Sequence, residues 1–121
     1  MSKTILIVDD SASMRQVLSL ALKGAGYSVV EAIDGEDALK KLELQKVNLV
    51  ISDVNMPRMD GLTFLKEMKQ KPTCKFTPVI MLTTEASDEK KKTGQAAGAK
   101  AWVVKPFKPE QMLQAVSMLI S

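Results

Sequence analysis

I-L-I-V-D-D, residues 5–10, sets four apolar residues, three of them β-branched, directly against two aspartates. An uninterrupted apolar run this short suits a strand covered on both faces of a parallel sheet. The same kind of run recurs at Tyr27 to Val30, Val47 to Ile51, Val79 to Leu82 and Ala101 to Val104. Between the runs the apolar period changes to that of a helix. Met14, Val17, Leu18, Ala21, Leu22 and Ala25 form one stripe, with shorter stripes at Ala38, Leu39 and Leu42 and at Leu62, Leu65 and Met68. Met112, Leu113, Val116, Leu119 and Ile120 make the last. Gly24 and Gly26 mark the end of the first helix. Asp34 with Asp37 reads as a capping arrangement at the second, and Pro109 with Glu110 opens the last. A further segment, Ser87 to Ala97, has alanine as its only apolar residue type and is interrupted by Lys90, Lys91, Lys92 and Gly94, so it should be the most weakly packed helix. Strand and helix thus alternate five times. Right-handed crossovers then give an α/β fold in three layers, a five-stranded parallel sheet with five helices on its two faces.

Composition narrows the function. At 121 residues the chain is expected to be a single domain over 1–121, and 45% hydrophobic residues with a net charge of +3 exclude a disordered chain. No run approaches the roughly 20 apolar residues of a membrane span. Met1 to Thr4 leads straight into a strand, unlike a secretory leader, and one cysteine, Cys74, forms no internal disulfide. A reducing, cytoplasmic setting is expected. With zero histidines, the commonest zinc ligand and the commonest general base are both missing. The charge is uneven. Residues 1–60 carry seven Lys and Arg against nine Asp and Glu, whereas residues 61–121 carry ten against five.

Open parallel sheets bind ligands beyond the carboxyl ends of their strands. The residues expected there are Asp9 and Asp10 after the first strand, Asp53 after the third, Thr83 after the fourth and Lys105 after the fifth. Each alone has an ordinary reading as a helix cap, strand end or surface lysine. Together they bring three carboxylates into one cleft with a single lysine, a repulsion that calls for more positive charge. A hard, oxygen-liganded divalent cation such as Mg²⁺ supplies it. Asp is ionised at neutral pH and serves as a nucleophile toward phosphorus in known covalent intermediates. Asp53 is therefore the candidate phosphoryl acceptor, with Lys105 and the Thr83 hydroxyl on the phosphoryl oxygens.

V-D-D at 8–10, D-V-N-M-P-R-M-D-G at 53–61, the threonine of M-L-T-T-E and K-P-F at 105–107 occur in the order that resembles the receiver domain of two-component response regulators. D-D-S-A-S-M-R at 9–15 and A-A-G-A-K-A-W-V-V-K-P-F at 96–107 are most similar to its CheY-like chemotaxis members. The resemblance implies a flavodoxin-like strand order of 2-1-3-4-5, for which CheY is itself a type example. It also implies a metal site of Asp9, Asp10, Asp53 and the backbone carbonyl of Asn55, and a cis bond between Lys105 and Pro106. Asp53 would be phosphorylated by a sensor histidine kinase of the CheA type. The implied output is control of a flagellar motor switch, or encounter with a phosphatase, by a monomer that binds neither nucleic acid nor membrane. Trp102 falls at the place of the family's switch aromatic, where tyrosine or phenylalanine is commoner. The fourth helix, fifth strand and fifth helix would form the partner surface, with Lys90, Lys91, Lys92, Lys100 and Lys108 giving it a basic character suited to acidic segments. Two other readings stand beside this one. The chain could be a phosphorelay intermediate serving a histidine phosphotransfer protein, or an aspartate-nucleophile phosphatase, although the D-x-D signature of the latter is missing. A flavin or nucleotide site has no phosphate-cradling glycine loop to support it.

Overall fold

The alternation read from the sequence folds into one parallel sheet. The protein's structure, a computed structural model, describes residues 3–54, 56, 59–83, 92, 95–96 and 98–120. Five strands, β1 (Thr4–Val8), β2 (Ser28–Ala32), β3 (Leu49–Asp53), β4 (Val79–Thr83) and β5 (Ala101–Val104), pair in the order β2-β1-β3-β4-β5. Every pairing is parallel, and Ile7 stands between Glu31 and Ile51 in the register. Four described helices connect or follow them: α1 (Ala12–Gly24), α2 (Gly35–Leu44), α3 (Gly61–Lys69) and α4 (Pro109–Leu119). The helix numbered α4 is thus the fifth expected from the sequence. Most of the expected fourth, 87–97, lies outside the described residues; within it Lys92, Gln95 and Ala96 are helical and exposed.

Successive side chains of a strand point to opposite faces, so an unbroken apolar run serves two cores. Leu6, Val8, Val50 and Met81 pack against Ala38 and Leu42 of α2 and Phe64, Leu65 and Met68 of α3. Ile5, Ile7, Ile51 and Leu82 pack on the other face against Leu18 and Leu22 of α1 and Met112 and Val116 of α4. Full burial of each such side chain is worth roughly 1.5–3 kcal/mol. β5 closes one edge of the sheet, and its residues are half-buried or exposed.

The helix boundaries follow local chemistry. Ser11, Asp34 and Asp60 cap α1, α2 and α3 by accepting hydrogen bonds from the amides of Met14, Asp37 and Thr63. Asp37 also accepts from the Ile33 amide, so the expected capping arrangement forms. Gly26 leaves α1 at φ +96°, the left-handed conformation that glycine adopts without strain. Two expectations need correction. β2 and β3 begin one and two residues later than the apolar runs suggest and both end two residues later, so Asp53 is the last residue of β3 rather than beyond it, and Thr83 likewise ends β4. Val17 is half-exposed instead of core-facing, and Ser19 is buried in its neighbourhood on α1.

Candidate functional site

Parallel register brings the carboxyl ends of β1, β3, β4 and β5 to one edge, and with them four of the expected residues. Asp9 directly follows β1, Asp53 ends β3, Thr83 ends β4 and Lys105 follows β5. Lys105 Nζ lies 3.4 Å from Asp9 Oδ2 and 3.4 Å from Asp53 Oδ2, reaching from the loop after β5 to the ends of the adjacent strands β1 and β3. One carboxylate oxygen from each of Asp9, Asp10 and Asp53 lies within 4.8 Å of the others. Asp9 and Asp53 are buried while Asp10 is exposed, so the cluster opens to solvent on the Asp10 side. Three hard oxygen donors converging at this spacing suit a small divalent cation that keeps part of its water shell. The donor set therefore fits Mg²⁺ and offers nothing to a softer metal.

The backbone holds these side chains in place. The Lys105 amide donates to the Thr83 carbonyl at 2.6 Å, tying the loop after β5 to the end of β4. The bond from Lys105 to Pro106 is cis, as the resemblance implied. Asp9 Oδ1 accepts from the Ser11 amide at 2.8 Å, which turns the carboxylate toward the cleft while Ser11 caps α1. Thr83 is fully buried, and its β5 neighbour in the register is Val104. Among the described residues the structure brings Asp9, Asp10, Asp53 and Lys105 together; Asn55, Lys90 and Lys91 lie outside the described residues. Lys92, Lys100 and Lys108 are exposed. Trp102 pairs with Met81 and packs partly buried against the face covered by α2 and α3. Its buried indole Nε1 has no hydrogen-bond partner among the described residues.

Two contributors escaped sequence reasoning. Arg15 Nη1 donates to the Asp9 carbonyl at 2.7 Å, and its Nε donates to Glu31 Oε1 on β2 at 3.2 Å. The guanidinium thereby fixes the peptide plane between Asp9 and Asp10. Gly61 is the other. Its amide donates to the Val54 carbonyl at 2.8 Å, and a Cβ there would collide with the Asp53 carbonyl oxygen. The aspartate-glycine pair at 60–61 was the available signal: a cap followed by a residue with no side chain lets α3 start against the end of β3.

Comparison with known proteins agrees with this geometry. Residues 5–117 match the response regulator receiver domain family. The fold superposes on the chemotaxis protein CheY4 of Vibrio cholerae with a TM-score of 0.96 at 47% identity, covering 99% of this chain and 100% of that one. A response regulator from Chloroflexus aurantiacus gives 0.94 at 37% identity over 98% of each chain. Among curated relatives, the alkaline phosphatase synthesis transcriptional regulatory protein PhoP of Bacillus subtilis is 37% identical over 99% of this chain and 49% of its own length. The regulator ycf27 of Cyanophora paradoxa is 40% identical over 98% of this chain and 48% of its own. The chain thus spans about half the length of these curated relatives. The parallel sheet in this order carries an acidic cluster and a bridging lysine at its carboxyl edge. This chain belongs to the response regulator receiver domain family.

Proposed function

We propose that the chain is a single receiver domain over residues 1–121 that accepts a phosphoryl group on Asp53 from a sensor histidine kinase and changes its partner binding as a result. The observation that carries this is Lys105 Nζ at 3.4 Å from both Asp9 and Asp53, beside the exposed Asp10 carboxylate. Mg²⁺ held by Asp9, Asp10, Asp53 and the Asn55 carbonyl would supply positive charge to the phosphoryl oxygens. The Asp53 carboxylate attacks phosphorus, forming a P–O bond. The P–N bond of the donor phosphohistidine breaks, and its electron pair goes to the imidazole nitrogen. The histidine is the partner's, since this chain has none. The Lys105 ammonium leaves its bridge to Asp53 for a phosphoryl oxygen, and Thr83 donates its hydroxyl to another. Movement of Thr83 changes packing at the end of β4, which borders β5 and Trp102. The Lys92, Lys100 and Lys108 side of the molecule is the output surface.

Full-length similarity to CheY4 at 47% identity supports a chemotactic, motor-directed output in the cytoplasm. The transcriptional regulators among the relatives support a second reading, a receiver that controls an attached effector domain. Incubation with Mg²⁺ and a small phosphodonor should add one phosphoryl mass increment, and Asp53→Asn should abolish it. Emission of Trp102, the only tryptophan, should change in step with that increment, and Thr83→Ala should reduce the change. Phosphorylation-dependent capture of a flagellar motor switch peptide identifies the chemotactic output. Capture of a histidine phosphotransfer domain instead would identify a phosphorelay intermediate, and steady turnover of phosphate esters a phosphatase.

A further inference from the structure

A second concave surface lies at the other end of the sheet. Opposite the acidic edge, where α2 ends and β3 and β4 begin, a groove of about 540 Å³ opens between the 42–47 segment and the 73–77 loop. Leu42, Val47 and Cys74 form its buried floor. Large apolar side chains also stand in solvent here. Leu44, which lines the groove, is 80% exposed, and Phe76, between the lining residues Cys74 and Thr77, is 86% exposed. They are the two most exposed large hydrophobic residues among those described. Two such residues beside a concavity with an apolar floor fit an interaction site better than scattered surface exposure does.

The charge at this pole is one-sided. Lys46 lines the groove and is exposed, and Lys75 Nζ sits 5.7 Å above the Phe76 ring. Glu43 is the acidic residue of the lining, and Lys71 Nζ offsets it at 3.5 Å from Oε1. Lys69 lies behind the loop, donating to the Thr77 carbonyl at 2.6 Å. Lys46, Lys71 and Lys75 therefore stand against one glutamate at this pole. The complement to such a surface is an apolar anchor flanked by carboxylates.

We infer that this groove docks an acidic amphipathic helix of a partner protein, with its apolar side chains against Leu44, Phe76 and the Val47 floor and its carboxylates at Lys46 and Lys75. Concavity selects a protruding helix over a flat lipid surface, and helix-in-groove recognition uses this combination of anchors and charge. Because β3 and β4 separate the groove from Asp53 and Thr83, docking here leaves the acidic edge accessible to a phosphodonor. It does not depend on the phosphorylation reading.

The test uses a fluorescein-labelled amphipathic peptide with leucine and phenylalanine on one face and glutamate on the other, and a twin with every glutamate changed to lysine. The acidic peptide should raise fluorescence polarisation and shift the amide resonances of Leu44, Val47, Cys74 and Thr77. Lys46→Glu combined with Lys75→Glu, both at exposed positions, should weaken binding at least about tenfold, roughly 1.4 kcal/mol. Phe76→Ser should weaken it similarly, and Asp53→Asn should not change it. Equal binding of the twin, absence of binding by both, or shifts centred on Lys92 and Lys108 would overturn the assignment. So would self-association lost in Phe76→Ser, which gives the groove to a second copy, or retention on phosphatidylserine vesicles, which gives it to a membrane.

Discussion

Arg15 holds the backbone of the acidic cluster without itself belonging to it. Its side chain leaves the first turn of α1, binds the Asp9 carbonyl and ends on Glu31 of β2, so three elements meet on one guanidinium. Only a planar fork reaches both acceptors at once; a lysine would reach one. Groups that orient metal ligands typically carry a tenfold or larger share of affinity. Under the proposed function, Arg15→Gln should weaken Mg²⁺ binding about tenfold, read by titration of Trp102 emission. Arg15→Lys should recover part of that loss. A residue that only stabilised the fold would lower the unfolding midpoint and leave the metal titration unchanged. None of this was legible in the sequence, because an arginine six residues after an aspartate reads as one more charged helix position. Asp9, Asp53, Thr83 and Lys105 were legible, since each is fixed by the end of a strand and the strands were plain.

At the scale of elements, legibility followed burial. β1, β3 and β4, covered on both faces, were recognisable as runs of β-branched residues. β2 and β3 begin later than their runs because Tyr27 and Val47 are apolar for packing reasons that precede the ladder. On α1 periodicity alone placed Val17 in the core. The helix presents Leu18 and Leu22 inward instead, and both Val17 and Ala25 of the expected stripe are exposed. The loop from α3 to β4 hides a different feature. Lys69 is partly buried under it, and loss of hydration, followed by the nearby Lys100 charge, lowers its pKa below the ordinary 10.5. The fold thus disfavours the charged form. The unfolded chain holds this proton more tightly, so the penalty is full below the folded pKa and fades as pH rises from there toward 10.5. Lys69→Met removes the penalty and also the hydrogen bond to Thr77. The stability of wild type relative to Lys69→Met, from urea unfolding at a series of pH values, should therefore increase through that window. A flat difference would mean that Lys69 is solvated as in the unfolded chain.

The whole molecule is polarised along its strands, with carboxylates at one edge of the sheet and a basic apolar groove at the other. Three carboxylates share the first edge with Lys105, so without a cation that edge opposes folding through like-charge repulsion. Two effects on global stability should follow, and they have opposite signs. A ligand that binds only the folded state stabilises by RT ln(1 + [L]/Kd), so Mg²⁺ at about 100 times its Kd should add about 2.7 kcal/mol to the unfolding free energy. Asp10→Asn removes one of the three charges at the exposed side of the cluster. In chelator this variant should unfold at a higher temperature than wild type, because repulsion has been relieved. In saturating Mg²⁺ the order should reverse, since the variant lacks a carboxylate donor and gains little from the ion. Thermal unfolding of both proteins, with and without Mg²⁺, gives the four numbers required. If Asp10→Asn raises the midpoint equally in both conditions, the aspartates form an electrostatic cluster without a metal role. A reversal of order ties the acidic edge to a divalent cation through the fold's own stability, independently of any phosphoryl transfer.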